Sequence, residues 1–130
     1  MSSDKISVMV TSGNREQLQM AAMVASVGAV SGNDVTVFLS MNALKFFVKG
    51  TAKNAPAEGE MGKLIEEKNA PDFKELFEQA VEYGDAKIFP CSMAIDILGV
   101  SEDDLETFVS EPMGLTSFLS DASEGQVWHF

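Results

Sequence analysis

Cysteine occurs once in this chain, at Cys91, so no disulfide can close within it. Stability has to come from packing, and the lone thiol points to a reducing compartment, the cytoplasm. Histidine is equally scarce, with His129 the single one. One cysteine and one histidine cannot build a metal centre, and no carboxylates fall at a ligand spacing. No metal and no other cofactor is therefore expected. Basic residues are few as well: 9 Lys+Arg stand against 20 Asp+Glu, a net charge of −11. That balance repels a phosphate backbone, and no local Lys/Arg cluster makes an exception, which argues against nucleic acid as a partner. No apolar run approaches the roughly 20 residues of a membrane span, and Met1 to Lys5 lead straight into a strand without a secretion signal. Both G-x-G-x-x-G and a P-loop lysine are missing, so nucleotide-binding loops of those types are not expected.

What is present suffices for one compact domain over residues 1–130, with 45% of its residues hydrophobic. Lys5 to Ser12 is a β-branched apolar run ended by Gly13-Asn14, which predicts a buried first strand. A helix is predicted from Arg15 to Val30, with Leu18, Ala21, Ala22, Ala25, Gly28 and Ala29 on one narrow face. Those side chains are nearly all small, so the helix can lie close against a sheet or a sister helix. Val35 to Ser40 is a second buried strand, completing a βαβ unit with a right-handed crossover. A short helix is expected over Met41 to Val48.

Residues 50–71 change character. Thr51 to Glu60 are small, polar and breaker-rich, and Met61 to Lys68 suit one or two helical turns. An insertion of this length reads as a lid or a subunit-contact segment. Asp72 and Glu75 make a capping-box-like start for a helix that ends at Gly84, with Phe73, Leu76, Phe77, Ala80 and Val81 inward. A strand leading to Cys91 and a two-turn helix to Gly99 follow. Ser101 and Asp104 mark a helix start that runs to about Phe108, unless Thr107 to Val109 pair as a short strand. A last helix from Pro112 to Ser123 should turn Leu115, Phe118 and Leu119 inward, before an apolar strand from Gln126 to Phe130.

The chemistry gathers where the apolar run Lys87-Ile88-Phe89 breaks at Pro90 and delivers Cys91 to the start of a helix. In open parallel α/β sheets, this carboxyl edge is where ligands and reactive groups collect. Amides of a first helical turn favour the thiolate and can bring a cysteine from about 8.5 into the range of roughly 3.5–7.5. Cys91 is thus the candidate nucleophile; the alternative is one more small buried hydrophobe. Without a Cys-x-x-Cys pair, oxidoreductase chemistry with an internal resolving cysteine is excluded. Ser92, Met93 and Met113 are candidate substrate contacts beside the thiol, the methionines as an apolar lining. Ser12 and Gly13 lie in the Thr11-Ser12-Gly13-Asn14 turn, expected on the same sheet edge. They are candidates to cradle an anion through backbone N–H groups and hydroxyls, or else simply form a tight strand-to-helix turn. His129 could orient a ligand or be structural, and Asp96 could bond Ser92 one turn back or be a surface carboxylate.

Lys87-Ile88-Phe89-Pro90-Cys91-Ser92-Met93-Ala94-Ile95-Asp96-Ile97-Leu98-Gly99-Val100, followed by Glu102-Asp103-Asp104-Leu105, resembles the cysteine segment of the DsrE/DsrF/DsrH-like family. The likeness is to the branch labelled peroxiredoxin-like, whose Cys-x-Met-x-x-Asp-x-x-Gly arrangement appears here as Cys91, Met93, Asp96 and Gly99. Val10-Thr11-Ser12-Gly13, the Ala-rich first helix, Val35-Thr36-Val37-Phe38, the middle insertion and Met113 to Leu119 extend it over nearly the whole chain. The resemblance implies a three-layer α/β/α fold on a five-stranded, mainly parallel sheet, assembled as a trimer or hexamer. It also implies sulfane sulfur held on Cys91 as a persulfide or thiosulfonate and exchanged with TusA-like carriers or rhodaneses. Some relatives have a second cysteine one to two helical turns later; this chain has none, which removes any internal disulfide step. The Thr-x-x-Cys motif of peroxidases is missing too, so the branch label does not imply peroxidase activity. The expected function is a sulfur relay, possible also as a sulfurtransferase. The alternative is a non-catalytic oligomeric subunit that binds a small ligand or a partner and keeps its cysteine inert.

Overall fold

Four short runs rich in β-branched and apolar residues pair into one parallel sheet in the order β3-β2-β1-β4. They are β1 Lys5–Val10, β2 Asp34–Leu39, β3 Lys87–Pro90 and β4 Gln126–His129. The structure is a computed structural model and describes residues 4–130. Parallel partners stand on the same face, and successive residues alternate between faces. Val35, Val37 and Leu39 of β2 therefore look to one side, and Thr36 and Phe38 to the other.

The first side is covered by α1 (Arg15–Val30) and α3 (Phe73–Gly84), which pack along each other. Asn14 caps α1 by accepting from the Gln17 N–H at 2.9 Å, and the six predicted small or apolar residues are all buried. Their size is what matters. Gly28 lies against Val35 and Ile6, and a Cβ on Gly84 would come within 2.5 Å of the Ala29 Cβ. The small-residue face is thus consumed inside the chain, by the sheet and by α3. Asp72 caps α3 as expected, accepting from Glu75 N–H at 2.9 Å. The second side carries the short helices α4 (Ser92–Leu98) and α5 (Leu115–Ala122). Phe118 of α5 stacks on Phe38 with ring centroids 4.8 Å apart.

The sheet has four strands, not the five implied by the resemblance. Ser110 to Met113 run where a fifth strand would lie. Ser110 N–H donates to Ile88 O at 2.7 Å, Met113 N–H to Pro90 O at 3.0 Å, and Ser92 N–H to Met113 O at 3.1 Å. Only the Cys91–Met113 pair forms, as an isolated parallel bridge. Pro90 and Pro112 have no N–H to give, so the ladder stops there.

Two helix expectations also need correction. Between Ser101 and Phe108 only Glu102–Asp104 makes a single 3-10 turn, with the Ser101–Asp104 capping box in place. Leu105 then turns into the core and bridges Val48, which ends the helix, and no strand forms at 107–109. In α5 only Phe118 and Ala122 face inward, while Leu115 and Leu119 are exposed. An eight-residue helix has one inward row, and the i, i+4 pair led by the larger Phe118 takes it. Met41–Phe47 is helical but of the 3-10 type. That winding stacks Ala43 on Phe46 and Leu44 on Phe47, all four buried.

The insertion forms a 3-10 turn, Ala52–Asn54, and a helix, α2 (Glu60–Glu67), of which only Gly62 is buried. Two adjacent side chains of α1 hold it. Arg15 pairs with Glu66 at 2.8 Å and donates to the carbonyls of Lys53 and Ala55 at 3.0 and 2.9 Å. Glu16 accepts from the backbone N–H groups of Glu58 and Gly59 at 2.8 and 2.7 Å, at the otherwise uncapped start of α2. Desolvation pushes the Glu16 carboxyl up, but these and neighbouring amide bonds outweigh it and hold the group below its ordinary value of 4.5. A carboxyl depressed in the folded state stabilises above its unfolded pKa, and that contribution is lost as pH falls through the folded one. Glu16→Gln should cost about 1 kcal/mol near neutrality, roughly 3–5 °C in Tm. Thermal melts from pH 7 to 3 should show wild type and variant converging as acid protonates Glu16. Gly84→Ala should lose about 1–3 kcal/mol in chemical denaturation although alanine is the better helix former, because its methyl meets Ala29.

Candidate functional site

Cys91 directly follows β3 and is the N-cap residue of α4, with extended backbone at φ −69° and ψ 125°. Pro90 ends the strand, and the apolar i, i+1 pair Ala94 and Ile95 anchors the helix that follows. The Cys91 N–H donates to Leu39 O at 2.8 Å, and its carbonyl accepts from Ile95 N–H at 3.0 Å. Both ends of the residue are therefore fixed, one to β2 and one to α4. Of the first amides of α4, Ser92 N–H is taken by Met113 O. Those of Met93 and Ala94 find no acceptor among the described residues. The thiol makes no cap bond to them, and the residue is 8% exposed, at the border of the apolar core.

Of the residues singled out in the sequence, Ser92, Met93 and Met113 join Cys91 in one place. Met113 is its bridge partner and is half-buried, whereas Ser92 and Met93 are exposed on the first turn of α4. Ser12 and Gly13 lie on the same carboxyl edge but after β1, two strands or about 10 Å away. In their turn, Thr11 and Ser12 N–H both donate to Phe130 O, at 3.0 and 3.1 Å. Gly13 sits under Asn42, where a Cβ would meet the Asn42 Cβ at 2.9 Å. His129 is three strands from β3, with Nε2 2.9 Å from the Thr11 hydroxyl. The Asp96 carboxylate is exposed and bonds to no group among the described residues, while its backbone carbonyl accepts from the Gly99 N–H at 3.3 Å.

One neighbour of the site left no trace in the sequence. Met41 follows β2, the strand beside β3, and holds φ at +51° with an exposed side chain. A non-glycine residue in this region carries about 1–2 kcal/mol of backbone strain. It opens the Met41–Phe47 segment against which α4 packs. The cavity of about 300 Å³ beneath the insertion, lined by Arg15, Gln19, Ile65 and Phe73 among others, does not include Cys91. Among the described residues no group of three or more His, Cys, Asp or Glu could hold a metal ion. No helix among them is long and apolar enough to cross a membrane.

A parallel α/β sheet bearing a single thiol where a strand gives way to a helix defines the class of protein. A family model, the DsrE/DsrF-like family, matches residues 4–127, and the chain belongs to that family. Its fold is similar to that of the ychN protein from E. coli, with a TM-score of 0.70 and 18% sequence identity over 99% of this chain and 100% of that one. It is also similar to MTH1491 from Methanobacterium thermoautotrophicum, a protein of unknown function, with a TM-score of 0.61 and 10% identity over 98% and 99% of the two chains. No curated protein matches the sequence.

Cys91 has an apolar setting, so Cys91→Ser should bury a hydroxyl with no partner and cost about 1–3 kcal/mol. Cys91→Ala avoids that penalty, and comparing urea midpoints of the two variants checks the difference.

Proposed function

We propose that this protein is a sulfur relay that carries sulfane sulfur on Cys91. The reading rests on membership of the DsrE/DsrF-like family together with one local observation. The single thiol of the chain stands beside two amides, of Met93 and Ala94, with no acceptor among the described residues. In the proposed cycle the Cys91 thiolate attacks the outer sulfur of a persulfide or thiosulfonate donor. The new S–S bond forms as the donor's S–S bond breaks, and its electron pair leaves with the donor's thiolate or sulfinate. The bound sulfur projects about 2 Å beyond the cysteine sulfur, a reach that would bring it toward the free amides. A partner thiolate then attacks that outer sulfur, and Cys91 departs as the thiolate. No oxidant is needed, and no second cysteine.

Met93 and Met113 would shelter the bound sulfur, and Ser92 would offer it a hydroxyl. Ser12 and Gly13, farther along the edge, would meet the bulk of a donor or partner. In this reading the acceptor is a TusA-like carrier or a rhodanese, and the protein works in the cytoplasm as a homo-oligomer, a trimer or hexamer. Exposed apolar side chains on α4 and α5, among them Met93, Ile97, Leu115 and Leu119, support self-association.

A second reading has a specific observation in its favour, the burial of the thiol. In that case Cys91 is inert, and the protein is a non-catalytic oligomeric subunit that binds a small ligand or a partner. Intact mass after treatment with polysulfide or a thiosulfonate donor separates the two. A relay gains about 32 Da per sulfur loaded. The gain is absent in Cys91→Ala and reversed by a small thiol. An unchanged mass with the thiol still free selects the inert subunit.

A further inference from the structure

The outer face of α1 breaks the pattern of a surface helix. Such a helix normally shows one apolar stripe to the core and charged residues to water. Its neighbour α3 conforms, with Glu75, Glu78 and Glu82 exposed. From Gln17 to Asn33, by contrast, no residue is charged, in a chain where 22% are. The small face of α1 is already used on the sheet and α3, yet Met20, Met23, Val27 and Val30 look outward, 46%, 44%, 67% and 59% exposed. Their intervals are three, four and three residues, the spacing at which two helices interlock side chain into gap. Trp128 enlarges the patch. Ile6 touches α1 at Gly28, Val8 shares the face of Ile6, and Trp128 is the register partner of Val8. The indole is thus on the α1 side of β4, a strand whose four residues are all exposed.

We infer that this face is a two-fold contact between two copies of this chain, α1 packing against α1 of the second copy. The inference rests on the self-association part of the reading above, in its hexameric form, and adds α1 as a second surface beside the apolar side chains of α4 and α5. Two chains that each carry −11 repel wherever their charges meet. Face-to-face packing of α1 brings no ionised side chain of the Gln17–Asn33 run into the contact, so it is a surface on which like-charged copies can approach. A two-fold axis requires a patch that complements itself, and a Met/Val row laid antiparallel on its own copy does so. At about 1.5 Å per residue the 16-residue helix is about 24 Å long. Row and indole together offer on the order of 500 Å² per copy, at the small end of specific interfaces. The contact should therefore form reversibly, with a mass that rises with concentration.

Sedimentation velocity of the full chain across the micromolar range tests this. Val27→Lys sets two ammonium groups near each other across the axis, and the limiting mass should halve. Its far-UV circular dichroism should stay that of wild type, since Val27 is exposed. Tyr83→Lys, on the exposed side of α3, should leave the mass unchanged. A wild-type chain that stays monomeric throughout overturns both this inference and the self-association reading. A multimer whose mass survives Val27→Lys overturns the inference and leaves self-association through other faces standing. Equal loss of mass in Tyr83→Lys also overturns it, since added charge anywhere would then suffice.

Discussion

How near α1 can come to its neighbours sets the rest of the architecture. Gly28 lets it settle on Ile6 and Val35, and Gly84 lets α3 lie against Ala29. A Cβ at Gly84 would meet Ala29 side chain and backbone at 2.5 and 2.6 Å and force the two helices apart. One at Gly28 would meet side-chain atoms of Val35 and Ile6 at 3.3 and 3.4 Å, which must give by a few tenths of an ångström. Close packing of this kind gathers many weak dispersion contacts. It also fixes where the helices begin. The N-terminus of α1 stands over the carboxyl edge of β1, where Arg15 and Glu16 can reach down to the insertion. Without that approach, residues 50–71 would have little apolar surface with which to hold themselves in place.

The opposite layer works differently. Phe38 and Phe118 stack at its centre, and the two helices there are short. Cys91 and its bridge partner Met113 stand at the carboxyl edge of the sheet, and the strained Met41 follows β2 on the same edge. The thiol is locked through its backbone rather than through its side chain. Leu39 holds its N–H and Ile95 its carbonyl.

Much of this was legible in the residues themselves. The β-branched runs and the i, i+3, i+4 rows of α1 and α3 have clear periods, and Pro90 marks the end of β3 one residue before the thiol. The losses have particular causes. Whether Ser110 to Met113 completes a strand depends on which N–H groups face β3, and a proline's missing donor counts only once the pairing is known. Leu115 and Leu119 look as apolar as Phe118, and nothing local says which row of a short helix wins the core. Ser101 and Asp104 do form their capping box, but the burial of Leu105 against Val48 overrides the helix it announces. The grip of Arg15 and Glu16 on residues some 40 positions away has no periodic signature. Met41 gives no sign of its left-handed backbone either. Ser12 and Gly13 were readable as a turn on the right edge, but strand order decides their separation from Cys91, and the order comes from tertiary pairing.

The prolines beside Cys91 have one more effect. A sheet can grow by adding a strand only where an outer rim offers donors and acceptors in register. Pro90 and Pro112 blunt the rim next to β3, and the stub of chain from Ser110 to Met113 lies across it. The other rim, along β4, pairs with no further strand among the described residues. The rim left open to strand addition is therefore the one three strands from Cys91.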